Sequence, residues 1–202
     1  MRAQLVAFSL VFSLSACGNN SVNEVKRQVA KVVPAVQAVG GNGVQHEDIQ
    51  CDTPIETRSP KGCTIETITC GSVVEGNNRV GQRNWGDDFY QKAFCTPNRY
   101  DYDDGPEAVY RLEMPPNIMA DVRLDSDCED LDVISMSWSD TSRCPGMQHV
   151  GSIRECEMDT HPGGGSIRMT TVDNPQVYVV AVDGKHGATG NFRLTVECST
   201  YR

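Results

Sequence analysis

The sequence predicts an all-β fold, an antiparallel β-sandwich or jelly roll stapled by disulfides and preceded by a flexible N-terminal tether. Three observations predict it. Tyr110, Leu112 and Met114 alternate with Arg111 and Glu113, and Phe192, Leu194, Val196 and Cys198 alternate with Arg193, Thr195 and Glu197. Such alternation marks strands with one buried and one wet face. Eight of the nine cysteines lie after residue 50. No long helical periodicity occurs in that part of the chain, which is instead cut by turn residues into short apolar runs.

The chain opens on Met1-Arg2-Ala3-Gln4, followed by an apolar run from Leu5 to Leu14 and then Ser15-Ala16-Cys17. A basic start, a short, mostly apolar run and small residues before a cut site describe a secretory signal over residues 1–16, and a run of ten residues that includes Ser9 and Ser13 is too short to span a bilayer. Leu14-Ser15-Ala16-Cys17 resembles the bacterial lipobox. That resemblance implies cleavage before Cys17, acylation of Cys17, and durable anchoring through more than one acyl chain. Gly18 rather than an aspartate follows the cysteine, which by the same resemblance favours the outer membrane, with the protein on its periplasmic or cell-surface face.

Residues 17–50 read as the lipidated tether. Val22, Val25, Val29 and Val32 recur at helical spacing up to Pro34, and Gly40-Gly41-Asn42-Gly43 follows as linker. An isolated helix this short is marginal in water, so a frayed segment is the simpler expectation than a partner-binding stripe. Residues 51–67 form a cysteine-containing lead-in, and residues 68–202 the sandwich. Within it, residues 177–182 are apolar on both parities, the pattern of a central strand covered on both faces. Asp183-Gly184 and the segment 187–191 predict a glycine-rich hairpin into the last strand. Further strands are expected near 65–69, 119–125, 131–138, 149–154 and 166–172.

Three blocks carry a family resemblance. Gly105-Pro106-Glu107-Ala108-Val109-Tyr110-Arg111-Leu112 resembles the opening strand of the bacterial pre-peptidase C-terminal (PPC) domain. Asp130-Leu131-Asp132-Val133 resembles its Asp-Leu-Asp strand, and residues 177–184 with 190–196 resemble its closing hairpin. The blocks occur in order across about two thirds of the chain. The resemblance implies a compact β-sandwich of the kind appended to secreted proteases or standing alone in lipoproteins, although no protease domain precedes this one.

Nine cysteines place the protein in an oxidising compartment. With Cys17 acylated, Cys51, Cys63, Cys70, Cys95, Cys128, Cys144, Cys156 and Cys198 remain as disulfide candidates. Their gaps of 12, 7, 25, 33, 16, 12 and 42 contain no Cys-x-x-Cys pair, so four disulfides are expected rather than a metal knuckle. Eight cysteines permit 105 pairings. Cys51–Cys63 and Cys144–Cys156 are attractive local loops. Cys70, Cys95, Cys128 and Cys198 would then pair among themselves, with Cys70–Cys198 stapling the first strand to the last.

No catalytic residue is expected. His-Glu-x-x-His and Gly-x-Ser-x-Gly are absent, His46, His149, His161 and His186 are scattered and read as surface groups, and Gly163-Gly164-Gly165-Ser166 reads as a flexible turn. No cofactor motif is present. Two acidic clusters leave calcium open, one at Asp101, Asp103 and Asp104, the other at Asp125, Asp127, Glu129, Asp130 and Asp132; the alternative is acidic turns. Trp85, Tyr90, Tyr100 and Tyr102 allow a sugar-binding surface, or else fill the core beside Trp138.

The formal charge of −9 argues against nucleic acid as a partner. The expected function is a lipid-anchored envelope protein acting as a non-enzymatic binding or structural module, partnered by the membrane through its anchor and by a protein or glycan. The alternative is an accessory subunit or inhibitor of a secreted protease.

Overall fold

The structure, a computed structural model, describes residues 48–95, 102, 105–158 and 163–201. The signal segment, Cys17, the tether up to residue 47, His46, His161, Tyr100, Asp101, Asp103 and Asp104 lie outside the described residues.

Nine strands among the described residues build two sheets: β1 (Thr67–Ile68), β2 (Val73–Asn77), β3 (Ala108–Met114), β4 (Ile118–Asp125), β5 (Leu131–Ser137), β6 (Ile153–Glu157), β7 (Ser166–Thr170), β8 (Gln176–Gly184) and β9 (Asn191–Thr200). One sheet has the order β1-β3-β8-β5-β6, the other β2-β9-β4-β7. Every pairing is antiparallel except β1 with β3. The fold is therefore the expected all-β sandwich, and four disulfides staple it.

The main core lies between the sheets. Tyr110, Leu112 and Met114 of β3 and Val180 and Val182 of β8 meet Val122 and Leu124 of β4 and Phe192, Leu194 and Val196 of β9. Full burial of each such side chain contributes about 1.5–3 kcal/mol. The alternation seen in β3 and β9 is thus the inward row of each strand. The outward row of β9 is less wet than alternation implies. Arg193 and Thr195 are buried, because β9 is a central strand flanked by β2 and β4, and Arg193 lies in register with Glu75 on one side and Asp125 on the other. Its guanidinium reaches Glu75 at 2.7 Å.

A second core explains why β8 is apolar on both parities. Val179 and Ala181 of β8, Val109 of β3, and Ile134 and Met136 of β5 face away from the sandwich, under a covering layer that contributes Trp85, Phe89, Tyr90, Ala93 and Tyr102. Part of that layer is the short helix α1 (Asp87–Tyr90), whose Asp87 and Asp88 sit at the positive end of its backbone dipole. Trp85 stacks on Phe89 at 5.2 Å, and Tyr90 lies 4.9 Å from Tyr102.

The structure corrects several expectations. β8 and β9 are not a hairpin. Both edges of β8 are taken by β3 and β5, so residues 185–190 carry the chain across to the other sheet. Asn78 holds this crossover, donating to the Ala188 carbonyl at 3.0 Å and accepting from the Gly190 N–H at 2.9 Å. Met147–Ser152 is a 3-10 helix rather than the start of a strand, and His149 closes its first turn by accepting the Gly146 N–H through Nδ1 at 3.1 Å. β2 was not expected from the sequence.

The local disulfide loops also do not form. Cys51 pairs with Cys128, Cys63 with Cys144 and Cys95 with Cys156, at separations of 77, 81 and 61 residues. Cys70 pairs with Cys198, joining the end of β1 to β9. The cause is topological: the cysteines sit at the margins of layers that the fold stacks on one another. The lead-in is bound in the same way. Asn191, at the start of β9, accepts from the Ile55 N–H at 2.8 Å and from Asn77 Nδ2 at 2.7 Å, and donates to the carbonyls of Gln50 and Thr53 at 2.5 and 2.8 Å.

Candidate functional site

Two polar sites stand out, one buried and one open. The buried site is a row of three carboxyl groups across adjacent strands. Asp132 of β5 is in register with Asp183 of β8. Glu107, just before β3, comes beside Asp183 one step beyond the Ala108–Val182 pair. All three face the covering layer, and none is more than 2% exposed.

The covering layer supplies their donors. The Tyr90 hydroxyl donates to Asp183 and the Tyr102 hydroxyl to Asp132. Asp183 also accepts its neighbour's Gly184 N–H at 2.7 Å. Glu107 accepts the backbone N–H groups of Asn84 and Trp85 at 2.7 and 3.1 Å and the Asn84 amide at 3.1 Å. Burial disfavours a charged carboxylate. Burial and then the charge of Asp183 push Glu107 up to about 8, against the lowering effect of its N–H donors. Burial pushes Asp183 up to about 7, although the bonds from Tyr90 and Gly184 oppose it. Burial and the facing carboxylates hold both Tyr90 and Tyr102 in their neutral, donating form. The row fastens a layer to a sheet; sealed from solvent, it offers no entry for a substrate.

The open site is a cleft of about 350 Å³ at the far end of β5 and β8, lined by Ser137, Trp138, Asp140, Pro175 and Gln176 among others. Trp138 is half-buried and rigidly held. Its indole N–H donates to the carbonyls of Asp140 and Arg143 at 2.6 and 2.9 Å, and the His149 ring lies 4.5 Å from it. The loop beneath is pinned by the Cys63–Cys144 disulfide and by the Cys63 N–H bond to the Thr141 carbonyl at 2.8 Å. Asp140 accepts from the Ser142 hydroxyl at 2.5 Å and from Arg143 at 3.0 Å. The Ser142 bond, with further help from Arg143, lowers its pKa, so its carboxylate is ionised at neutral pH.

The sequence-predicted residues fall in various places. Trp85, Tyr90 and Tyr102 are buried in the second core and present no sugar-binding surface. Trp138, expected in the core, packs against the second core and also lines the cleft. Of the second acidic cluster, Asp125 pairs with Arg123 at 2.6 Å, Asp127 and Glu129 are exposed, and Asp132 belongs to the buried row. Among the described residues no group of three His, Cys, Asp or Glu side chains is placed to hold a metal ion. His186 is exposed, whereas His149 packs on Trp138 instead of standing free at the surface. Gly163-Gly164-Gly165 is a tight connection rather than a loose one: Gly165 exchanges backbone hydrogen bonds with Leu124, and a Cβ on Gly164 would lie 2.3 Å from the Leu124 carbonyl oxygen. Glu107 and Asp183 were missed. For Asp183 the available signal was an acidic residue in line with the apolar Val177, Val179 and Ala181 of β8; Glu107 shares its parity with Arg111 and Glu113 and gave no such signal.

No family model matches the sequence, and no curated protein matches it. Among solved structures, the chain is similar to the crystal structure of the pre-peptidase C-terminal domain of a collagenase from Bacillus anthracis. The two are 9% identical, with a TM-score of 0.36 over 72% of this chain and 100% of that one. The likeness is partial, and a PPC-like reading of this chain rests on its own three sequence blocks.

Proposed function

We propose that this chain is a lipid-anchored envelope protein whose PPC-like sandwich acts as a non-enzymatic binding or structural module. One observation carries the reading. The four disulfides use Cys51, Cys63, Cys70, Cys95, Cys128, Cys144, Cys156 and Cys198, so the one cysteine outside them is Cys17, at the end of the lipobox-like run. A secreted chain with an odd cysteine needs a use for it, and acylation supplies one.

The anchor confines the module to a membrane surface, and the staples keep its loops in fixed positions there. Gly18 favours the outer membrane. The test is the intact mass of protein purified from membranes, taken with and without reduction. The expected species begins at Cys17, carries acyl chains on it, and gains eight hydrogens on reduction. Cys17→Ala is expected to leave the chain unacylated and released from the membrane. An N-terminus cut elsewhere and free of lipid sinks the proposal.

A further inference from the structure

We propose that the Trp138 cleft binds a neutral saccharide; this deepens the binding-module reading and rests on it. The first argument is size. Small-ligand sites begin at roughly 300 Å³, and the cleft is about 350 Å³, room for one or two sugar rings of a longer chain.

The second argument is lining chemistry. A sugar ring has an apolar C–H face and a rim of hydroxyl groups. Trp138 and Pro175 supply apolar surface for the first. The Gln176 amide, the Ser137 hydroxyl and the Asp140 carboxylate supply donors and acceptors for the second. Gln176 and Asp140 are exposed, and Asp140 is held in place by its neighbours. Asp140 accepts three bonds from Ser142 and Arg143, and an ionised carboxylate has about four acceptor sites, so capacity remains.

The third argument is charge. An anionic ligand would meet the ionised Asp140 in a protein of formal charge −9. A cation would find the Asp140 charge already balanced by Arg143 at 3.0 Å. A neutral polyol meets neither obstacle. The fourth argument is rigidity. Trp138 is fixed by two backbone acceptors, the His149 ring and the stapled loop, so binding immobilises little that was mobile beforehand.

The experiment titrates the full acylated chain, in detergent, with three neutral tetrasaccharides (β-linked N-acetylglucosamine, cellotetraose and maltotetraose) and with choline. Binding is read by calorimetry and tryptophan fluorescence. Saturable binding to at least one tetrasaccharide is expected, with a dissociation constant of about 10 µM to 1 mM. Trp138→Ala should weaken it at least about tenfold, and Gln176→Ala, on exposed surface where folding is not at stake, severalfold. The urea midpoint of each variant checks folding. No saturable binding to any tetrasaccharide, unchanged affinity in Gln176→Ala or a folded Trp138→Ala, or binding of choline alone overturns the assignment. The mass of the same sample reads acylation at Cys17 separately, so a failed titration on an acylated chain removes the saccharide and leaves the anchored module standing.

Discussion

Glu107, just before β3, and Asp183 of β8 lie beside each other, facing the covering layer, each about 1% exposed. Two carboxylates in that position cannot both ionise cheaply, since each loses its hydration and repels the other. Asp132 on the next strand extends the same row, with Tyr102 as its donor. The covering layer therefore closes over a pair of acids, Glu107 and Asp183, whose burial favours the protonated form.

The first prediction concerns pH. Glu107 is raised to about 8 and Asp183 to about 7, both above their values in the unfolded chain. Between those limits the folded state holds protons that the unfolded state has released, so stability falls as pH rises. It is fully present below about pH 4 and is lost as pH passes through about 7 and 8. The urea midpoint should drop between about pH 5 and pH 9, with Trp85 fluorescence reporting the covering layer. Asp183→Asn keeps an acceptor for the Tyr90 hydroxyl and removes the titration, so it should flatten the profile. A profile equally steep in Asp183→Asn and Glu107→Gln would show that other groups produce it.

Asn191 is the second test. All four of its amide hydrogen bonds are made; two reach the lead-in at Thr53 and Ile55, and a third reaches Gln50 just before it. Asn191→Ala leaves the Ile55 N–H and the Asn77 amide without their acceptor. The expected loss is about 1–3 kcal/mol, together with faster hydrogen exchange at Ile55. Exchange unchanged at Ile55 would show that the lead-in is held by other contacts.

The disulfides give the third. Non-local pairing means that non-reducing digestion should release crosslinked peptides joining Cys51 to Cys128 and Cys63 to Cys144, not peptides spanning the loops 51–63 or 144–156. Replacing Cys70 and Cys198 together by serine opens a link across 128 residues and should cost about 2–5 kcal/mol by chemical denaturation.

These sites also show what the sequence could convey. Alternation in β3 and β9 and the double apolar parity of β8 are local properties, so the sandwich was legible from them. The cysteine count was legible too, because evenness needs no geometry. The pairing was not, since Cys51 meets Cys128 only after the two sheets have stacked. The carboxyl row was invisible for the same reason: Glu107, Asp132 and Asp183 come together only through the strand order β3-β8-β5. β2 escaped notice because Val73-Val74-Glu75-Gly76-Asn77 breaks alternation, as an edge strand with an exposed Val73 can. Trp138 was expected in the core and does pack against the second one, but nothing local in the sequence marks it as also lining a cleft.

The last prediction ties the covering layer to backbone sterics. Gln82 and Glu107 bond through their backbones, with the Glu107 N–H donating at 2.9 Å, and this bridge brings Asn84 and Trp85 within reach of the Glu107 carboxyl. Gly81 sits against the bridge, and a Cβ there would lie 2.2 Å from the Glu107 carbonyl oxygen. The obstacle is backbone, so no side chain can swing aside, and Gly81→Ala must displace one segment from the other. The displacement loosens the three N–H bonds to the Glu107 carboxyl and leaves a buried acid with fewer partners. The expected outcome is a loss of about 2–4 kcal/mol, with Trp85 emission shifted to the red as the layer lifts. Gly151→Ala is the control: nothing lies within 4 Å of its added methyl group, and it should change the urea midpoint little. Equal effects from the two variants would mean that the Gly81 contact is relieved by a backbone movement that leaves the Glu107 bonds intact.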